Sequence, residues 1–418
     1  MKKLQAIGFI LLWFGLSFGQ QEFGLKITKE LCSEKYHGRG YVNEGHKLAA
    51  DFIQGKFEEF GLQPIGDSYQ QPFNFDVNTF PEFVELKIGK EPLLVGDNFI
   101  VDANSGSCNG VYEPVFITSD KDFFKFEYSN ESRDGKVLVI QDIETKDIDT
   151  NQMLRDWKYK GAQLAPVIFL TNKKYTWTVG RIEFEFPIIE LRDSLYSDRI
   201  KNGERIDIYV QNKFVKQLES QNVIGKVEGK CKKKTIVFSA HYDHLGQLGS
   251  SAYFPGANDN ASGVAMLLYL AKYYSEHPPK YNMVFMAFGA EEVGLLGSKH
   301  YVENPLFPLE EIKFLINLDI LGTGEEGITV VNGAVYTKQF KKLTKLNSQG
   351  EYLKKIKMRG KAANSDHYFF SEAGVPSIFI YTMGGVSYYH DIHDRAETLP
   401  LNEFDDLARL LNAFVKKL

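Results

Sequence analysis

Thr235-Ile-Val-Phe-Ser-Ala-His-Tyr-Asp-His-Leu-Gly246 decides how this chain is to be read. Its first half is a near-continuous apolar run of the kind found in strands buried on both faces; its second half turns polar, with histidine and aspartate where strand gives way to loop. Three further runs repeat the pattern. Met283-Val-Phe-Met-Ala-Phe288 is followed by Glu291 and Glu292, Phe314-Leu-Ile-Asn-Leu318 by Asp319, and Ser377-Ile-Phe-Ile-Tyr381 by His390. Between the first two runs, Ala261 to Tyr274 has helical spacing, with Asn258 or Asp259 placed to cap it. Strands alternating with helices predict an α/β fold, a three-layer α/β/α sandwich around a mostly parallel or mixed sheet. In such open sheets the ligand site lies beyond the carboxyl ends of the strands, where these acids and histidines fall. Imidazole and carboxylate are donors that zinc accepts, and a catalytic site must collect them from distant parts of a chain.

Towards the N-terminus, Leu48, Ala49, Phe52, Ile53, Phe57 and Phe60 follow a helical period that stops at Gly61, with Pro64 beyond. From residue 98 to 211 the texture changes to short runs between polar turns, such as Lys136-Val-Leu-Val-Ile140, Val167-Ile-Phe-Leu170 and Ile206-Asp-Ile-Tyr-Val210. This predicts a small β-rich domain inserted into a discontinuous one made of 20–97 and 212–418. Residues 1–19 have the form of a secretory signal peptide: Lys2-Lys3, an apolar stretch from Ile7 to Phe18, and small residues at Ser17 and Gly19 before a cut. The apolar stretch is shorter than the roughly 20 residues a membrane span needs. The expected location is therefore secreted or periplasmic, with no stable membrane insertion once the leader is cut.

The 418 residues suffice for an ample core, and a formal net charge of −5 argues against nucleic acid as a partner. Cys32, Cys108 and Cys231 are odd in number and widely spaced, so no disulfide framework is required. Cys108, within Gly106-Ser-Cys-Asn-Gly110, reads as an ordinary turn cysteine rather than a nucleophile.

Ser239-Ala-His-Tyr-Asp-His-Leu-Gly246, Gly256-Ala-Asn-Asp-Asn-Ala-Ser-Gly263, Ala290-Glu-Glu-Val-Gly-Leu-Leu-Gly-Ser298 and Asn317-Leu-Asp319 together resemble the M28 family of zinc-dependent peptidases. His37-Gly-Arg-Gly40 and Gly61-Leu-Gln-Pro64 resemble its N-terminal part. The resemblance implies a zinc exopeptidase fold, two Zn2+ ions and peptide substrates, with an aminopeptidase as the expected activity. It makes His241 and Asp319 ligands of one ion, Glu292 and a C-terminal histidine ligands of the other, and Asp259 the bridge. A carboxylate suits the bridge because its two oxygens can hold metals about 3.5–4 Å apart. Glu291 is then the general base, acting on a metal-bridging water, and Asp243 orients the His241 ring. Two histidines compete for the last ligand position: His390 has an acid four residues on in Asp394, and His393 has one in Glu397. His390 is preferred for its distance from the final helix, which leaves His393 and His244 at the rim. Asp366, in Asn364-Ser-Asp-His-Tyr-Phe-Phe370, is a candidate for lining the substrate pocket or supporting the site.

The insertion also resembles a protease-associated domain, through Gly135-Lys-Val-Leu-Val-Ile140, Lys160-Gly-Ala162 and Pro187-Ile-Ile-Glu190, and is expected to limit access to the cleft. Neither His-Glu-x-x-His nor Gly-x-Ser-x-Gly occurs, which removes helix-borne zinc proteases and elbow-type serine hydrolases. Two alternatives stand: a glutaminyl cyclase acting by acyl transfer on one zinc, and a catalytically inactive peptide-binding module. His241 with Asp319 favours two metals, and the presence of Glu291 and Asp259 favours catalysis.

Overall fold

The four apolar runs form four adjacent strands, and their burial explains their composition. In this computed structural model, which describes residues 19–418, Tyr281–Phe288, Cys231–His241, Ile312–Leu318 and Ser377–Met383 lie side by side and parallel. Lys213–Val227 and then Gln70–Thr79 extend this sheet antiparallel at one edge; Gly327–Val331 and then Ile356–Met358 extend it at the other. One face is covered by the helices Gly45–Glu59, Ser262–Glu276 and Phe404–Val415, which bury Ile53, Phe57, Leu267 and Leu411 against Phe238 and Phe285. The opposite face packs Tyr301 and Phe370, from the helices Leu296–Glu303 and His367–Glu372, on Val237, Val284 and Leu315. Each such side chain contributes about 1.5–3 kcal/mol when removed from water, so both layers are needed to keep the sheet apolar on two sides. The result is the three-layer sandwich that the alternation implied.

Register sets the working end. His241 pairs with Phe288 and Leu318 with Ile380, so the carboxyl ends of the parallel strands are level and their following loops meet. The N-terminal helix falls at Gly45–Glu59, with Ala49, Ile53 and Phe57 on its buried face. Residues 19–31 are helical too, with Ile27 and Leu31 buried and Gly24 close under the Phe404 ring, an element that the apolar spacing did not announce. The leader proper, from Lys2 to Phe18, lies outside the described residues. Among the described residues no helix is long and apolar enough to cross a membrane.

The insertion builds a second eight-stranded sheet around Cys108–Ile117, Lys136–Gln141, Val167–Thr171 and Ile188–Arg192, which run parallel. Three helices accompany it, Asp120–Glu127, Ile148–Gly161 and Asp193–Lys201. Val84–Ile88 and Glu91–Pro92 belong to this sheet through pairing with Ile206–Val210, so the insertion opens at Val84 and not at residue 98. An alternating strand carries no mark of which sheet it will join; only the pairing decides it. Cys108 starts a strand here rather than sitting in a turn, and all three cysteines are free.

Candidate metal centre

His241 is the last residue of its strand, and the backbone that follows is held by Phe288 and by Arg39. Asp259 lies in the short turn Ala257–Ala261 ahead of the helix Ser262–Glu276. The expected cap of that helix, Asn258 or Asp259, is displaced by Asn260, whose Oδ1 accepts the Gly263 N–H at 3.0 Å and the Ile320 N–H at 3.1 Å. Its Nδ2 donates to the carbonyls of His241 and Leu318, tying two strand ends together. Asn258 is used elsewhere, accepting the Gly322 N–H, which leaves Asp259 free to aim its carboxylate into the cleft.

Six candidate side chains converge on a cleft of about 230 Å³: His241, Asp259, Glu291, Glu292, Asp319 and His390. His241 Nε2 is 3.3 Å from Asp259 Oδ1 and 3.3 Å from Asp319 Oδ1. His390 Nε2 is 3.2 Å from Asp259 Oδ2 and 3.2 Å from Glu292 Oε2. Asp259 therefore offers one oxygen to each group. Around an ion with bonds of about 2.0 Å, tetrahedral ligand atoms stand about 3.3 Å apart, which the four histidine–carboxylate distances match. His241, Asp259 and Asp319 can hold an ion together, and so can His244, Asp259 and Glu292. The donor chemistry fits as well. Four carboxylates line this cleft against two imidazoles and the Arg359 guanidinium, and buried carboxylates left uncompensated are costly.

That imbalance perturbs Asp259, His390, Glu292 and Glu291. Burial pushes the Asp259 carboxyl up, but hydrogen bonds from His241 and His390 outweigh it and hold the group well below the usual range. Burial likewise opposes protonation of His390, yet Glu292 and Asp259 raise it to about 11. Glu292 is pushed up by burial and by Asp259, but His390 and His244 bring it down to about 2. Glu291 goes the other way: burial, opposed by His241 and reinforced by Glu292, lifts its carboxyl well above the ordinary value. Two adjacent glutamates thus differ in proton affinity, one suited to ligation and one to proton transfer.

The supporting groups correct part of the sequence reading. Asp243 does not orient His241 through its carboxylate, which is 3.9 Å from Nδ1; its backbone carbonyl is at 3.2 Å and takes that role. The carboxylate instead accepts the N–H groups of Glu291 and Glu292 and the Tyr41 hydroxyl, so it fixes the loop that carries both glutamates. His244 is not at the rim. It is fully buried, with Nδ1 2.8 Å from Glu292 Oε1. His393 does not line the cleft; it is half exposed and 3.5 Å from Asp97. Asp366 is fully buried and does not line the cleft, which Asn364, two residues earlier, does; burial lifts its carboxyl to about 7.

Other supports went unread. Ser239 donates to Asn317, Asn317 to Ser365, and Ser365 to Asp319 Oδ2, each at 2.7 Å, a buried chain whose direction fixes which Asp319 oxygen stays free. Asp394 accepts the N–H groups of Asn258 and Asp259, which explains an acid four residues after His390. Isolated polar residues of this kind give no periodic signal; only the motif segments around them marked their neighbourhood.

The sequence profile described as Peptidase family M28 matches residues 222–415. Residues 222–415 of this chain are thus similar to the M28 peptidases. The aminopeptidase YwaD of Bacillus subtilis is 34% identical over 218 residues, covering 47% of this chain and 44% of that protein. The probable lipoprotein aminopeptidase LpqL of Mycobacterium tuberculosis is 30% identical over 174 residues, 38% of this chain and 34% of that protein. The chain thus spans less than half the length of these curated relatives. Among solved structures, BSAP, a zinc aminopeptidase from Bacillus subtilis, superposes with a TM-score of 0.69 at 20% identity, covering 95% of this chain and 94% of that one. An aminopeptidase from Aneurinibacillus gives 0.64 at 22% identity, covering 95% and 93%. Both likenesses extend the shared fold across the insertion as well as the M28-like domain.

Proposed function

We propose that this chain is a two-zinc exopeptidase, most simply an aminopeptidase that removes the N-terminal residue of short peptides. The single observation that carries the reading is the Asp259 carboxylate, divided between a triad with His241 and Asp319 and a triad with His390 and Glu292. Bound there, a pair of zinc ions would supply Lewis acidity and a water acidic enough to ionise near neutral pH. The remaining work falls to the chain. Glu291, with a raised proton affinity and a backbone pinned by Asp243, takes the proton of the attacking water and passes it to the leaving amine. The choice of aminopeptidase rests on the names of the relatives, both aminopeptidases. The insertion is read as a protease-associated-like module restricting access, and the leader as directing the protein to a secreted or periplasmic location.

The test is zinc quantification together with an assay on a panel of aminoacyl and glutaminyl substrates. Glu291→Ala is expected to keep its zinc and to lose hydrolysis by about 10²–10⁴-fold. Full activity in that variant would overturn the mechanism, and cyclisation of N-terminal glutamine without hydrolysis would select the cyclase instead.

A further inference from the structure

The two histidines of the cleft are held in different ways. His241 is steadied from within the M28-like domain, by the Asp243 carbonyl. His390 is steadied by the insertion: its Nδ1 donates to the Trp177 carbonyl at 2.9 Å, and the Trp177 N–H donates back to the His390 carbonyl at 2.9 Å. With Nδ1 committed as donor to a carbonyl, Nε2 is the ring nitrogen that faces Asp259 and Glu292, and the one whose lone pair a metal would take in exchange for its proton. His390 also has a φ of +53°, a conformation that a non-glycine residue keeps only when its surroundings impose it.

The surroundings come from 174–177. Lys174 Nζ reaches three points of the loop around His390: the Asp391 carboxylate at 2.7 Å, the Ser387 carbonyl at 3.1 Å and the Tyr389 carbonyl at 3.4 Å. Trp177 is itself anchored. Its indole N–H donates to the Val101 carbonyl at 2.8 Å, inside the insertion, while its ring stacks on Phe254 of the M28-like side, with centroids 4.8 Å apart. Tyr389 completes the seat by stacking on the imidazole at 3.9 Å.

We propose that the insertion is part of the metal site: Lys174 and Trp177 are positioning residues that set the tautomer and placement of His390, so that one zinc position depends on the insertion and the other does not. This rests on His390 being a ligand. The insertion then acts on the chemistry directly, beyond any effect on access.

The experiment measures stepwise zinc affinity of the full chain by competition with a chromophoric chelator. Lys174→Ala, at a half-exposed side chain, and Trp177→Leu are each expected to weaken one of the two binding steps by about 10–100-fold, the range for groups that hold a metal ligand in place. The other step and the melting temperature of the metal-free Lys174→Ala protein stay as in the wild type. Lys174→Arg restores most of the lost affinity. His390→Ala is the control and loses the same step. If His390→Ala kept both steps intact, the reading of His390 as a ligand would fail. If it lost one while Lys174→Ala bound both ions as the wild type does, or weakened both steps equally, the positioning role would be overturned with the two-zinc reading intact. Should Trp177→Leu fail to fold, the Lys174 pair decides alone.

Discussion

Among the described residues Arg39 is the largest fully buried side chain, and its guanidinium donates to the segments around His241 and Asp259 and to the end of the N-terminal helix. Nε donates to the Tyr242 carbonyl, Nη1 to those of Pro255 and Leu31, and Nη2 to those of Gly256 and Asp259. One residue thereby braces the end of the His241 strand against the Asp259 turn. Lysine could not replace it, since a point charge lacks the planar fork that reaches carbonyls on three sides. Arg39→Ala should cost about 3 kcal/mol or more, because buried carbonyls are left without donors. Urea unfolding of the zinc-free protein measures it; a change below about 0.5 kcal/mol would remove the brace from this account. His241, Glu292 and Asp319 were legible because each follows an apolar strand, and Asp259 through Gly256-Ala-Asn-Asp-Asn-Ala-Ser-Gly263. Arg39 was legible only as part of His37-Gly-Arg-Gly40, where Gly40 allows the chain to pass against Gly246. Its function as a brace needs the fold to be known.

At the scale of elements, the helix His367–Glu372 carries a titratable group that is no part of the cleft. His367 is fully buried beside Phe379, with ring centroids 5.4 Å apart, and burial lowers its pKa from 6.5 to about 4. A neutral ring is thus favoured by folding. The sign follows: above pH 6.5 both states are neutral and stability is complete, and between 6.5 and about 4 the unfolded chain takes up a proton that the folded one refuses. The loss reaches about 2 kcal/mol at pH 5. Unfolding measured at pH 7 and pH 5 in chelator should show a shallower decline for His367→Phe than for the wild type. Equal declines would place the acid sensitivity elsewhere. The strands and the Gly45–Glu59 helix could be read from periodicity, whereas the 19–31 helix and the helices of the insertion could not. Each of the latter buries few side chains, such as Phe123 in Asp120–Glu127, and so leaves a weak apolar period.

For the whole molecule, the cleft is a concentration of negative charge enclosed by two sheets' worth of packing, and its stability should be linked to metal. Ligands that bind only the folded state stabilise it by about 4 kcal/mol at a thousandfold excess over Kd. Removing zinc with a chelator should therefore lower the melting temperature, and adding it back should restore it; identical melting curves would argue that no ion belongs there. By itself the amino-acid sequence determined the sandwich and five of the six converging groups, because strand composition reports burial and the ends of parallel strands report the site. Tertiary structure alone put His390, which the sequence had only favoured, in the cleft and left His393 out of its lining, moved His244 from the rim to the interior, and brought Trp177 to the back of the imidazole. These depend on contacts between residues 213 positions apart in one case, and on a loop whose path is set by side chains it meets only after folding. Periodicity describes what one element buries; it says nothing of which distant carbonyl a ring nitrogen will find.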